Sequence, residues 1–554
     1  MKKILLFIGI AAGIMSANAQ TPFFQYTTYR GAFEPAPATP WTQGWVNWNP
    51  QVTAYPATTV NVPTGDITTN TTWTANNVYR ISDFVYVTNN ATLTIEPGTI
   101  IRGEGKGTLI ICRGAKIIAE GTATQPIVFT SNQPAGDRDY GDWGGIVLTG
   151  KAYNNIPTSP NAPCEGGIAK PTGTDGYHGG TDDNDNSGSM KYVRIEFGGQ
   201  ALTTASNSEI NGLTFYSVGN GTTIDYIQVS YAGDDAFEWF GGTVDCKHLV
   251  AYKALDDDFD TDNGFRGRVQ FGLSIRDSRF ADQSGSNSFE SDNDAQGSNN
   301  TPKTEAVFSN ITSIGPNWAG NPDSTNILFR RGLHIRRNSG ISVYNSIFTG
   351  WPAGLYLDSR KTCANYQTGV GFLAENIFAG CTNNINWASG SDTLAWTSRA
   401  DVIAWAMAAP QGTDTLVTSQ QADLMDPFGN SNWNPDARPK ATSIAVSGAV
   451  FTNPELLPIN TVGVEISEII ENSFNVYPNP ATNDVNISFT ISQNGKYSIS
   501  LLDLTGKTIL NIPTANYTEG TNFTQINVTS LSKGIYFVRL DGSNSSKVTK
   551  LMVK

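Results

Sequence analysis

The sequence predicts an all-β protein, a right-handed parallel β-helix solenoid followed by a small C-terminal β-sandwich. Three observations lead there. Short segments recur around a phenylalanine: Leu213-Thr214-Phe215-Tyr216, Ala236-Phe237-Glu238-Trp239, Asp258-Phe259-Asp260-Thr261 and, after a longer gap, Ser288-Phe289-Glu290-Ser291, the first three phenylalanines being 22 residues apart. A second kind of segment, 226–233 and 248–254, alternates with the first. Both kinds are rich in Val, Ile, Phe and Tyr, alternate with period two and are punctuated by Gly, Asn and Asp, so the repeat is one of strands and not of helices.

The same beat extends to 190–199 upstream and to 307–315, 342–350 and 372–380 downstream. Each downstream copy has a candidate partner strand near it, Leu333-His334-Ile335-Arg336, Gly354-Leu355-Tyr356-Leu357 and Asn384-Ile385-Asn386-Trp387. A strand buried on one side alternates strictly. Phe215, Phe237, Phe259 and Phe289 are therefore expected inside, with Tyr216, Glu238, Asp260 and Glu290 outside.

In chain order, residues 1–19 have the pattern of a secretory signal peptide: Lys2 and Lys3, an apolar run over 4–15, and the small-residue cleavage pattern Ala17-Asn18-Ala19. No later run approaches the ~18 apolar residues that a membrane-spanning helix needs. The formal charge is −13, and −15 once Lys2 and Lys3 are removed. That balance argues against nucleic acid, which calls for clustered Lys and Arg, and suits an extracellular protein that uses divalent cations.

Residues 20–90 are expected to form an N-terminal cap region. Trp41, Trp45 and Trp48 within it serve either as a sugar-stacking platform or as part of a cover over the open end of the solenoid. The β-helix passenger is expected over 91–450. It opens with regular strands at 91–101, 108–112, 115–119 and 126–130 and is interrupted by a long Pro-, Gly-, Asn- and Asp-rich loop at 152–189. A short helix is predicted over 398–407 with Ser398 as its N-cap, and 451–472 is predicted to be a linker. The five cysteines, Cys112, Cys164, Cys246, Cys363 and Cys381, contain no C-x-x-C pair, which argues against zinc and redox chemistry. They are read either as buried thiols or, for Cys363 and Cys381, as a possible pair.

Residues 473–554 are expected to form a separate domain of short alternating strands, with seven Lys/Arg against four Asp/Glu. Tyr477-Pro478-Asn479-Pro480, Leu502-Asp503-Leu504-Thr505-Gly506-Lys507, 531–538 and 547–554 follow one another to the C-terminus. On these motifs the segment resembles the C-terminal sorting domain, type A, of type IX secretion substrates. The residues that carry the match are Tyr477, Pro478, Asn479, Pro480, Gly506, Lys507, Gly534, Tyr536 and Lys550. The resemblance implies export through the periplasm to the cell surface or beyond, recognition by the type IX machinery and its sortase-like peptidase, and release or attachment to surface lipopolysaccharide. It implies nothing about the passenger.

In a parallel solenoid, equivalent residues on successive coils lie ~4.8 Å apart. The expected outward series is Tyr216, Glu238, Asp260, Glu290, His334 or Arg336, Tyr356 and Asn386. Carboxylates at that spacing must bind a cation, raise a pKa or pair with arginine. Asp256, Asp258, Asp260 and Asp262 alternate and are expected to share this face. Asp183-Asn184-Asp185 opens like a calcium loop, although Arg194 stands where that loop needs its closing Glu. The metal candidates are thus Asp183, Asp185, Asp256, Asp258, Asp260 and Asp262, with calcium as the ion, and Tyr216, Trp239, His334 and Tyr356 are the ligand-contacting candidates.

Two alternatives stand beside cation binding. In one, Glu238, Asp260 and Glu290 act on a glycan, adjacent coils giving a ~5 Å retaining separation and alternate coils ~10 Å, at the edge of the inverting range. In the other, Arg266, Arg268, Arg276 and Arg279 bridge the acids and no chemistry follows. The acidic motifs superficially resemble those of polygalacturonases, which share the fold. The order is reversed and a Gly-His-Gly motif is missing, so no catalytic residues carry over. Polysaccharide lyases on this fold pair calcium with an Arg or Lys base, a part for which Arg336 is the candidate. His178, His248 and His334 are the only histidines and form no Ser/His/Asp constellation. The expectation is a secreted or surface β-helix protein that binds an extracellular polysaccharide with calcium support, the alternatives being a calcium-dependent lyase or hydrolase and a structural surface component.

Overall fold

A computed structural model describes residues 23–202, 208–318, 325–387, 396–429, 434–456, 474–491, 495–503, 507–541 and 546–554. The signal-peptide segment 1–19 lies outside them. Two units separate, Phe23–Leu456 and, after it, Leu457–Lys554. No helix among the described residues is long and apolar enough to cross a membrane.

The first unit is a parallel β-helix. Eleven strands stack in register in one sheet, from Gly65–Ile67 to Asn383–Trp387, and seventeen form a second, bent sheet. The bend has a local cause. In Gly188–Glu196, residues 188–191 pair with Lys116–Glu120 while 193–195 pair with Ile127–Ser131, and Tyr192 between them turns the chain at φ 50°. Tyr226, His248, Phe271 and Asn310 repeat this left-handed corner on later coils. Bulky residues rarely take that conformation. Here the corner side chains stack on one another, Tyr192 on Tyr226 at 4.4 Å, Tyr226 on His248 at 4.2 Å and His248 on Phe271 at 5.1 Å. Gly188 sits where a Cβ would fall 1.8 Å from the Ile117 carbonyl oxygen, so neighbouring backbones meet there.

Phe237, Phe259 and Phe289 stack inside at 5.8 and 5.0 Å, each worth roughly 1.5–3 kcal/mol of burial. The register before them differs from the even 22-residue spacing. Leu213 pairs with Phe237 and Phe215 pairs with Trp239, because that coil is two residues longer. Phe215 is inside all the same.

The coils begin at Val60, which pairs with Tyr79, and not near residue 91. Residues 23–55 neither cover the end of the solenoid nor offer a platform. They form a strap along its side. Gln228 exchanges two amide hydrogen bonds with the Asn47 backbone, at 2.9 and 2.8 Å, and Gln270 does the same with Gln25, at 2.7 and 2.8 Å. Outward amides on the sheet thus mimic a pairing strand. Arg30 reaches Asp414 at 2.6 Å, and Trp45 is buried in the common core.

The loop at 152–189 holds the antiparallel pair Ala162–Pro163 and Tyr177–His178 and, at its end, runs into the strand Gly188–Glu196. Its Cys164 and Ile168 pack over Tyr86, Ile110, Val147, Tyr216 and Phe240, which would otherwise be an exposed apolar face. All five cysteines are buried thiols. The helix is Arg399–Met407, and Ser398 and Asp401 form its capping box. Most of the expected linker lies outside the described residues, but Phe451 and Leu456 are buried against Phe24, Val307 and Tyr344 and belong to the first unit.

In the second unit a three-stranded and a four-stranded antiparallel sheet enclose a core that includes Val485, Ile487, Tyr497, Ile499, Val538 and Leu551. Asn479 donates to the Lys550 carbonyl at 2.6 Å and accepts from the Met552 N–H at 2.9 Å, which ties the Tyr-Pro-Asn-Pro motif to the last strand. The Tyr536 hydroxyl donates to the Ser532 carbonyl at 2.9 Å. Gly506 lies outside the described residues.

Candidate functional site

Three ladders on the eleven-stranded sheet build an acidic cleft. Two residues before each inner anchor stand Asn211, Asp235, Asp257 and Asn287. In the first three a side-chain oxygen accepts the backbone N–H of the equivalent residue on the next coil: Asn211 accepts from Asp235 at 3.2 Å, Asp235 from Asp257 at 2.8 Å, and Asp257 from Asn287. One carboxylate oxygen thus locks the turn. One residue after the anchor comes the series Thr214, Glu238, Asp260, Glu290, His334 and Tyr356. Three residues after it, Tyr216, Phe240 and Asp262 are paired, and Asp292 follows the last paired position of its strand.

The cleft, of about 590 Å³, is lined by Asp234, Asp235, Glu238, Asp256, Asp257, Asp260, Asp262, Asp282, Glu290 and Asp292 together with Glu165 and Glu209. Against these twelve carboxylates the lining offers two cations, Arg336 and Arg337. Both serve one end. Arg336 pairs with Glu290 and, at 2.7 Å, with Asp292, and Arg337 reaches Asp292 at 2.7 Å. No other Arg or Lys lines the cleft among the described residues. Burial pushes the Asp235, Glu238, Asp257, Asp260 and Asp262 carboxyls well above the usual range, and neighbouring carboxylates add to it. Burial likewise lifts Asp256, to about 6. Glu290 is the exception. Burial alone would raise it, but the His334 hydrogen bond and the Arg336 charge hold it low.

Three overlapping carboxylate triads bring ligand oxygens within 4.8 Å of one another: Asp234, Asp235 and Asp256; Asp235, Glu238 and Asp260; Asp257, Asp260 and Glu290. Asp260 belongs to two of them, and its Oδ1 is buried with no hydrogen-bond partner. A hard cation that takes six to eight oxygens suits this donor set.

The other expected site residues are placed differently. Asp258 does not share the face of Asp256, Asp260 and Asp262. It sits one residue before Phe259, fully buried, with Arg276 at 3.1 Å, and Asp257 takes the cleft position instead. Trp239 is fully buried in the core, since it shares the parity of Phe237. Tyr216 is stacked on Phe240 at 4.5 Å beneath the 152–189 loop and is closed to a ligand. Asp183 is held by Arg266 at 3.0 Å, and neither it nor Asp185 joins a triad, so the calcium-loop opening does not assemble with the cleft. His334 is buried between Glu290 at 3.4 Å and Asp358 at 3.2 Å. Arg336 is a poor base, for although burial disfavours its charge, Glu290 and Asp292 hold it firmly protonated. Of the arginines expected to bridge the acids, Arg268 pairs with Asp245 and Arg279 with Asp277, outside the cleft. Tyr356 remains accessible, one rung past His334, in a separate cavity.

Residues 65–419, more than half of the chain, match the pectate-lyase-like beta helix domain. The chain belongs to that family. Residues 475–554 match the secretion system C-terminal sorting domain, so the chain carries a type IX sorting tail that marks it for export to the cell surface or the extracellular space. Solved structures similar to this chain include the Dettilon tailspike protein, at 9% identity over 82% of this chain and 87% of that one with a TM-score of 0.22. Another is the enzymatically active domain of bacteriophage CBA120 tailspike protein 4, at 11% identity over 86% and 63% with a TM-score of 0.18. No curated protein matches.

Proposed function

We propose that the exported β-helix binds an extracellular polysaccharide through divalent cations, calcium foremost, held in the acidic cleft. The observation that carries this is Asp260, a carboxylate shared by two triads whose buried oxygen lacks a partner. Asp235, Glu238, Asp257 and Asp260 would hold the ion. When bound, it offsets their mutual repulsion and presents open coordination positions to sugar hydroxyls or carboxylates. The chain's own part is to hold these oxygens fixed: the turn ladder immobilises Asp235 and Asp257, and Asn211 donates to Glu238. The sorting tail would deliver the passenger to the type IX machinery, with removal by its peptidase and attachment to lipopolysaccharide as the proposed fate. The test is retention of the full chain on immobilised polysaccharides with calcium and with chelator. Retention that chelator and Asp260→Asn both abolish supports the proposal, and equal retention in chelator sinks it.

One observation favours hydrolysis as a second possibility. Across the Asp260–Glu290 rung the two carboxyls are pushed in opposite directions, Asp260 up and Glu290 down, the division that an acid and its ionised partner require. New reducing ends that disappear in Asp260→Asn and Glu290→Gln would establish it.

A further inference from the structure

Past His334 the face gains arginines beside the remaining Asp358. A cavity of about 440 Å³ opens beside Tyr356, and among the described residues its lining holds Arg330 and Arg331 with no Asp or Glu. Arg331 opens the strand Arg331–Ile335, and its guanidinium carbon lies over the Tyr356 ring, 4.6 Å from the centroid. Its guanidinium has no hydrogen-bond or ion-pair partner among the described residues, which is unusual for a half-buried arginine in a chain of formal charge −13. Burial works against its charge. Arg330 donates to the Ile327 carbonyl at 3.1 Å and adds a second positive charge at the mouth. Asn383 and Asn386, on the coil after Tyr356, line the same cavity, and the Asn386 side-chain oxygen accepts the Trp387 N–H, which leaves its N–H₂ to serve as a donor.

A planar guanidinium pinned on an aromatic face presents its N–H fork in one plane. Its paired N–H groups match two oxygens of a carboxylate or of a sulfate ester, which a point charge would not select. The amides supply further donors, and no Asp or Glu lines the cavity among the described residues, Asp358 and Glu290 acting on Arg331 only from outside it.

We propose that this cavity is an anion subsite for a sugar, taking a saccharide unit that bears a carboxylate or a sulfate ester, with the oxyanion on Arg331 and Asn386. It lies three rungs from Asp260, about 14 Å along the coil axis. The inference rests on the polysaccharide-binding proposal for its setting: a chain running along this face would meet cations at one end and a fixed guanidinium at the other, so its anionic groups are read twice.

The test uses the full chain in chelator, so that the acidic cleft plays no part. Galacturonic acid, galactose 6-sulfate and galactose are titrated separately by NMR or calorimetry. At least one of the two anionic sugars binds tenfold or more tightly than galactose, and comparing the two arms identifies the oxyanion. Arg331→Gln removes the preference. Arg331→Lys, which keeps the charge and loses the fork, recovers less than half of it in free-energy terms. Asn386→Ala weakens binding severalfold and guards against a folding defect in the arginine variants, whose circular dichroism is compared with that of the parent. Equal binding of all three sugars, or an undiminished preference in Arg331→Gln, overturns the assignment. Calcium binding is measured in parallel. If calcium does not bind while the anion preference stands, the cleft proposal fails and the subsite survives, and the reverse result fails the subsite alone.

Discussion

Chelating calcium should make the passenger less stable as pH rises, and adding calcium should reverse the trend. In the cleft the folded-state carboxyl pKa values are raised, so between the ordinary carboxylate range and the folded values the folded chain binds more protons than the unfolded chain. Stability then falls as pH increases. For Asp256, raised from 3.8 to about 6 by burial, with Asp282 and Glu290 adding and Ser284 and Arg276 opposing, the loss between pH 4 and 7 is about 2 kcal/mol. Asp235, Glu238, Asp257, Asp260 and Asp262 act in the same direction. One calcium ion at a hundred times its Kd contributes about 2.7 kcal/mol. Spread over the unfolding entropy of the unit Phe23–Leu456, about 0.9 kcal/mol per kelvin, this raises Tm by about 3 °C. A solenoid that melts in smaller cooperative blocks gives more. The assay is differential scanning calorimetry from pH 4 to 8, in chelator and in millimolar calcium. A Tm that rises with pH in chelator, or one that calcium leaves unchanged at pH 7.5, would refute the reasoning.

Asp260→Asn should abolish the calcium-induced Tm shift while raising Tm in chelator, since it removes one buried charge from two triads. Chemical denaturation of Trp239→Ala should reveal a loss of about 3–5 kcal/mol with the same relative response to calcium, because Trp239 belongs to the core. Arg276→Met leaves Asp258 buried without its counter-ion and should cost about 3–5 kcal/mol at pH 7, measured the same way. That deficit should shrink toward pH 5, as Asp258 takes up a proton.

The solenoid was legible because its period is written in side chains that must alternate. The ladder from Glu238 through Asp260 and Glu290 to His334 follows from that alternation. What went astray did so where coil length varies. The coil from Leu213 to Phe237 is two residues longer than the next, so phenylalanine spacing set the register off by two positions upstream, and Thr214, not Tyr216, stands behind Glu238. Asp256, Asp257 and Asp258 fall in a turn, where strict alternation ceases to decide direction. The usable signal was the position two before each anchor, Asn211, Asp235, Asp257 and Asn287, all of them short polar side chains, the first three of which hold the next turn. Burial of Tyr216 depended on where the long loop folds back, and capture of Asp183 by Arg266 is a contact between distant segments. Neither leaves a local trace in the sequence.

The N-terminal strap bears on when this molecule becomes complete. Arg30 is bonded to residues as far along the chain as Ser447, and Gln25 is bonded to Gln270. Those partners do not exist until the later coils have closed, so a segment early in the chain is among the last that are able to settle. Bringing such distant ends together is slow, because loop closure must precede any reward from contact. A chain held for export with this segment still loose would keep the amides of Gln228 and Gln270 uncovered along one side. Docking of the strap after transit would then seal the finished coils in a single late step.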